Sequence, residues 1–292
     1  MNFKCWKRFI VLAAMVAAVA PSGGAVTAQG TRPRVVSINL CTDQLVLALA
    51  DPVQIAGLGR FSRHAEMSYL SAKAAAYPSL RGSAEEVLRL QPELVLAGAY
   101  SGRATREFLS ARGLAVEIFA PPRSIAEAKA EIERMGSLLG QPVRAASLVA
   151  EIGAALAEAS TSARGHPTLS ALAIQRRGFA SGRDTLLSAA IGASGYTNAA
   201  DALGITGIGR APLETIAKLQ PDVLILEDLA VSRDQSTALL HHPVLARARG
   251  TTRIIKLPVA EVTCGGPSLA PLIRRIAAER GGYGDPQQQL NR

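Results

Sequence analysis

Short apolar runs rich in β-branched residues alternate along this chain with longer stretches whose leucines and alanines recur at helical spacing. RVVSINL (34–40) has the form of a buried strand. CTDQLVLALA follows as a helix, with Thr42 and Asp43 as N-cap candidates. VQIAGLG reads as a second strand and SAEEVLRL as a helix, in which Ser83 and Glu86 have capping-box spacing. ELVLAG, GRATREFLSARG and LAVEIF continue as strand, helix and strand. Strands that alternate with helices predict a parallel sheet covered by helices.

From Ser124 to Ala163 the strands stop. SIAEAKAEIERMGSLLG and PVRAASLVAEIGAALAEASTSA carry Ala, Glu and Leu at helical spacing, broken at Gly140-Gln141-Pro142. The second piece predicts a helix of about 20 residues, roughly 30 Å long. Alternation then resumes: TLSALAIQ as strand, GRDTLLSAAIGA as a helix capped by Asp184, LETIAKLQ as helix and DVLILE as strand. STALLHHPVLARA follows as helix, TRIIKLP as strand, and PSLAPLIRRIAAER closes the series as a helix. The expected fold is α/β: two similar lobes with mostly parallel sheets, joined by a long helical connector, with a ligand cleft between them. The lobes are assigned to residues 29–123 and 164–292, and the connector to 124–163.

The two halves resemble each other in detail. SAEEVLRLQPELVL (Ser83–Leu96) lies over PLETIAKLQPDVLI (Pro212–Ile225) at an offset of 129 residues. That period is far too long for a solenoid and suits a duplicated lobe.

Residues 1–28 stand apart. Lys4, Lys7 and Arg8 precede an apolar run from Phe9 to Ala20, and Val26-Thr27-Ala28 has the small-residue pattern of a cleavage site. This is the form of a secretory signal peptide, with an apolar run shorter than a bilayer span. The formal charge of +9 falls to about +6 without those three cations. The remaining arginines are scattered and no nucleic-acid motif appears, so nucleic acid is not an expected partner. Two cysteines remain, Cys41 and Cys264, too few for a disulfide framework and too far apart for a zinc knuckle.

The opening strand RVVSINL, the repeated (S/P)xExxxxLxP(E/D)xxL unit, the helical connector and the exported start together resemble the class III periplasmic binding proteins. These are the helical-backbone receptors that deliver cobalamin, ferric siderophores or haem to ABC importers. The resemblance covers Arg34 to about Arg280. It implies a periplasmic, monomeric, non-enzymatic protein with no cofactor of its own and a metal chelate as cargo. Its partners would be a membrane permease and its ATPase. It also implies that Glu85 and Glu214, each seven residues before the proline of its unit, dock on basic residues of the permease. Taken alone, each is also an ordinary first-turn glutamate facing a helix dipole.

In open α/β folds, ligands bind beyond the carboxyl ends of the strands. The loops there hold Cys41 and Thr42, Phe61 and Arg63, Tyr100 and Arg103, Phe179 and Arg183, Arg210, and Cys264. Phe61, Tyr100 and Phe179 suit a ring-rich ligand, although only 4% of the chain is aromatic. Arg63, Arg103, Arg183 and Arg210 suit an acidic one. Each of these residues has an ordinary alternative, as packing under a loop or as solvated charge. For the cysteines three readings stand: free thiols, contact with a metal centre, or a disulfide across or beside the cleft.

A corrinoid or ferric siderophore is the expected cargo, because no tyrosine or histidine is clearly placed as an axial haem ligand. Haem or a free Zn/Mn ion is the alternative within the same fold. A free ion needs several converging histidines and carboxylates, and His64, His166, His241 and His242 show no clustered segment. An exported Cys-dependent enzyme ranks below these: there is no HExxH, GxSxG or CxxC pattern. A sensor that kept the lobes and lost transport would not need both Glu85 and Glu214.

Overall fold

The structure is a computed structural model that describes residues 32–228, 242 and 252–281. The described residues form one compact unit. The expected signal peptide and the helix expected at STALLHHPVLARA lie outside the described residues, His242 excepted.

Two sheets form in chain order. The first contains β1 (Val35–Ser37), β2 (Ile55–Gly59), β3 (Ser79–Leu80), β4 (Leu94–Gly98) and β5 (Ala115–Phe119) in the order β3-β2-β1-β4-β5. All its pairs are parallel. Parallel neighbours need crossovers, supplied here by α1 (Leu40–Leu49), α2 (Ser71–Ala74), α3 (Ala84–Arg89) and α4 (Arg103–Ala111). Helices α5 (Ile125–Leu138) and α6 (Pro142–Ala163) follow, with Pro142 opening α6 where its missing N–H costs nothing.

The second sheet runs β11 (Arg253–Pro258), β10 (Val223–Asp228), β6 (Leu169–Ile174), β7 (Phe179–Ser181), β9 (Ile208–Arg210), with β8 (Tyr196–Asn198) also on β6. The pairs of β10 and of β8 are parallel, while β7 pairs antiparallel with both β6 and β9. Its helices are α7 (Leu186–Ala193), α8 (Leu213–Leu219), α9 (Val259–Val262) and α10 (Leu269–Gly281). The short strands β7 to β9 escape a reading based on apolar runs, because three residues carry no periodicity.

The sequence repeat is a backbone repeat. Gln91 and Gln220, 129 residues apart, both take left-handed conformations (φ 46° and 45°), each directly before a proline. The next position but one is acidic in both copies and ties down the start of the neighbouring strand. Glu93 accepts from the Arg34 N–H at 2.7 Å, and Asp222 accepts from the Ser170 N–H at 2.7 Å. Val87 and Ile216, also equivalent, are both buried. The acid of each LQP(E/D) unit is therefore an anchor that sets strand register.

One continuous apolar core joins the inner faces of both sheets through α5, α6 and α10; each sheet adds a smaller cluster on its outer face. Two caps differ from expectation. Asn39, rather than Thr42 or Asp43, caps α1: its Oδ1 accepts from the Cys41 and Thr42 N–H groups at 3.0 and 3.4 Å. Thr185, rather than Asp184, caps α7 by accepting from the Ser188 N–H at 3.2 Å. Asp184 itself sits at φ 62°, a conformation that Asp tolerates better than most residues. The Ser83–Glu86 capping box of α3 forms as expected.

Candidate functional site

Strand order reverses at β1: the chain runs from β1 to β2 and β3 on one side, then returns to β4 and β5 on the other. The carboxyl ends of β1 and β4 diverge at such a point and leave a crevice. A cleft of about 180 Å³ lies there. Asn39, Cys41, Thr42 and Leu45 line it after β1, and Gly98 to Ser101 after β4. Phe119 to Pro122 close it after β5, Ala128 and Glu131 reach it from α5, and Gly265 and Gly266 complete it.

The lining is mainly apolar, with its polar groups already engaged. Thr42 is buried; its hydroxyl donates to the Asn39 carbonyl at 2.9 Å and lies 2.7 Å from the Ser37 hydroxyl. Asn39 caps α1 with one side-chain atom and donates toward Ser101 Oγ at 3.4 Å with the other. Glu131, the one charged lining residue described, pairs with Arg134 at 3.2 Å. Arg134 also bridges to Glu117 at 2.5 Å and stacks over Phe119 at 4.3 Å. Tyr100 stands free at the mouth, 85% exposed. Gly98 is obligatory: a Cβ there would lie 2.4 Å from Asn39 Nδ2.

Beneath the cleft, Asp43 is fully buried. Its Oδ1 accepts from the Gly59 N–H at 3.1 Å, while its Oδ2 has no hydrogen-bond partner. Burial pushes its pKa up to about 7, against the lowering effect of its hydrogen bonds.

Cys41 and Cys264 form a disulfide, with Cα atoms 5.2 Å apart. It joins the first turn of α1 to the turn between α9 and α10, beside the cleft. Of the three readings of the cysteines, pairing is the one the structure contains.

The cleft thus gathers Cys41, Thr42 and Tyr100, with Cys264 next to its Gly265–Gly266 wall. The other site candidates lie elsewhere. Arg63 is occupied by the carbonyls of Ala74 and Tyr77, and Phe61 by Arg60 at 4.5 Å. Arg103 pairs with Glu107 at 2.8 Å along a groove on α4. Arg183 lies 3.5 Å from Asp201. Phe179 and Arg210 face each other across the β7–β9 pair. Glu85 and Glu214 are exposed in the first turns of α3 and α8. Of the lining residues absent from the expected set, Asn39, Leu45, Gly98, Ala99, Ser101, Gly265 and Gly266 lie beside expected ones, and the rest end or follow β5 or sit on α5. Applying the strand-end rule to LAVEIF would have found Ala120, Pro121 and Pro122; nothing in the sequence marks Ala128 or Glu131.

The sequence pattern described as "Periplasmic binding protein" matches residues 35–258. The chain belongs to the periplasmic binding protein family. Solved structures share its fold. The periplasmic heme-binding protein RhuT from Roseiflexus sp. RS-1, in apo form, superposes with a TM-score of 0.69 at 24% identity, covering 86% of this chain and 98% of that one. A periplasmic heme-binding protein from Pseudomonas aeruginosa gives 0.71 at 21% identity, covering 87% and 95%. An ABC-type Fe3+-hydroxamate transport system from Saccharomonospora viridis DSM 43017 gives 0.66 at 21%, covering 86% and 94%. No curated protein matches the chain in sequence. The two-lobed α/β fold is that of the class III, helical-backbone periplasmic binding proteins. Membership implies a periplasmic or extracellular location. Among the described residues no helix is long and apolar enough to cross a membrane.

Proposed function

We propose that this periplasmic binding protein captures a metal chelate and delivers it to an ABC permease. The observation that carries this is the apolar cleft at the β1–β4 switch point, whose described lining offers one carboxylate, already paired, and no cation. Such an apolar lining suits contact with part of a largely uncharged chelate, a corrinoid or a ferric hydroxamate, better than a free carboxylate or a bare ion. A bare ion would need converging ligands, and no group of three or more His, Cys, Asp or Glu side chains is placed to hold one among the described residues. Haem is the second reading. Two structural relatives are described as heme-binding, and Tyr100 offers an exposed phenol at the mouth of the cleft.

Cyanocobalamin, ferrioxamine and haem should be compared by thermal shift on the purified chain. A ligand that binds the native state raises the melting temperature once its concentration exceeds Kd. A rise with cyanocobalamin or ferrioxamine supports the first reading. A rise with haem alone, lost together with its absorption signature in Tyr100→Phe, would replace it with the second. No rise with any of the three would sink both.

Delivery is assigned to Glu85 and Glu214. They sit at equivalent positions of the repeat, one per half, both exposed, as a pair of carboxylates that orients the protein on a basic surface requires. Glu85→Lys with Glu214→Lys should abolish uptake in cells and leave chelate binding intact; loss of binding in that variant would remove the assignment.

A further inference from the structure

We infer that the Cys41–Cys264 disulfide is a positioning element of the ligand cleft: it clamps a wall supplied by the second half of the chain onto a pocket built by the first, so that the cleft is formed before ligand arrives. This rests on the reading of that cleft as the chelate site.

Every described lining residue comes from the first sheet's strand ends, α1 or α5, except Gly265 and Gly266. Those two follow Cys264 directly, and Cys41 lines the cleft on the other side of the bond. The wall is wedged tightly. A Cβ at Gly265 would lie 2.6 Å from Leu186 of the second half and 2.7 Å from Pro122 of the first. A Cβ at Gly266 would lie 3.1 Å from Leu45. Two glycines are what allow a backbone segment into this gap.

Both ends of the bond are fixed independently. Cys41 sits in a first turn capped by Asn39, and its N–H donates to Asn39 Oδ1 at 3.0 Å. Cys264 is 5% exposed, and its carbonyl accepts from Ser268 Oγ at 3.0 Å. The segment pairs with no strand; it is a turn between α9 and α10, held to α10 by the Leu269 N–H, which donates to the Gly266 carbonyl at 3.0 Å. Two adjacent glycines have the largest conformational freedom of any dipeptide. Without the bond, ordering them would draw on the ligand's binding free energy. With it, that entropy is removed during folding, and the chelate meets a preformed wall.

The test compares native protein with Cys41→Ser/Cys264→Ser, and with native protein reduced by a phosphine after folding in case the variant folds poorly. Hydrogen exchange over residues 262–268 is read with and without saturating cyanocobalamin, ferrioxamine or haem, whichever stabilises the native chain. Dissociation of that probe is followed by stopped flow well below the melting temperature. In the native protein the wall should be protected before ligand is added, and ligand should add little. In the variant and the reduced protein the wall should exchange at least about tenfold faster, ligand should restore its protection, and the probe should leave about tenfold faster. A lower melting temperature with unchanged wall exchange and unchanged dissociation would make the bond a stabiliser only and overturn the proposal. Were none of the probes to bind the native chain, the chelate reading would fall. Ligand-free exchange would then decide the clamp by itself: a wall equally protected with and without the bond would overturn it.

Discussion

The two halves repeat one scaffold and put it to different uses at the same point. Among the described residues, the crevice between β1 and β4 in the first is a cleft of about 180 Å³, while that between β6 and β10 in the second encloses about 10 Å³. The equivalent positions at the ends of β4 and β10 are Gly98 and Glu227. Glycine leaves room there, and Asn39 folds in against it. Glu227 fills its side, accepting from the Arg176 N–H at 3.3 Å, with Leu187 and Val262 packed around the remaining gap. Burial pushes the Glu227 pKa up, as expected for a carboxyl drawn into a filled crevice. Among the described residues, side-chain volume thus distinguishes the two switch points of a duplicated backbone.

The halves also differ in polar satisfaction. Asp43, Gln44, Ser62 and Ser68 of the first half each hold a buried polar atom without a partner. Ser181 and Ser194 of the second half, also buried, are hydrogen-bonded. Unsatisfied groups cost stability; among the described residues they lie mainly in the half that carries the cleft, with Arg280 Nε the exception in the second.

The largest expected effect concerns the bond between the halves. Its closed loop spans a separation of 223 residues, and loss of so long a constraint on the unfolded chain costs up to about 5 kcal/mol. Urea unfolding with and without a reductant would measure it. An unchanged midpoint would show that the shared core alone holds the halves together.

Gly98→Ala tests the vacancy. The added methyl meets Asn39, which caps α1, so we expect a loss of about 2–3 kcal/mol and loss of chelate binding. Glu227→Gly, the mirror change, should enlarge the second crevice without creating binding. Unimpaired chelate binding by Gly98→Ala would place the ligand elsewhere.

Asp43→Asn tests the polar asymmetry. With its native-state pKa raised from 3.8 to about 7, Asp43 binds its proton more tightly folded than unfolded, so its contribution to stability is lost as pH rises through that window. Asparagine mimics the protonated form and can still accept from Gly59. The variant should match the wild type near pH 4 and exceed it by about 4 kcal/mol at pH 8 in parallel denaturation curves. A constant difference across pH would remove the ionisation argument.

The smallest effect separates the repeated anchors. Asp222 accepts two bonds from Ser170 while half-buried, whereas exposed Glu93 accepts one from Arg34. Asp222→Ala should cost about 1–2 kcal/mol and Glu93→Ala less than about 1 kcal/mol by thermal melting.

Much of this architecture was legible in the chain. β1, β4, β6 and β10 are mainly apolar runs because both faces of a parallel sheet are covered, and α5 and α6 announce themselves by composition and by Pro142. The LQP(E/D) repeat located the two halves and their equivalent glutamates. The caps of α1 and α7 were misjudged by one to four positions, because several capping residues crowd each start and packing selects among them. The arginines and two of the three aromatics expected at the cleft lie outside its described lining and contact other groups instead, because position after a strand does not fix which way a side chain points.

The sequence by itself determined the element types, the duplication and the family, since hydrophobic period and local capping act over a few residues and survive any arrangement of the whole. The tertiary structure alone decided that Cys41 and Cys264 meet across 223 residues, that Gly265 and Gly266 close a pocket built by the other half, and that, among the described residues, one switch point carries a cleft while Glu227 narrows its counterpart. These depend on volumes and distances between segments remote in the chain, which no local pattern encodes.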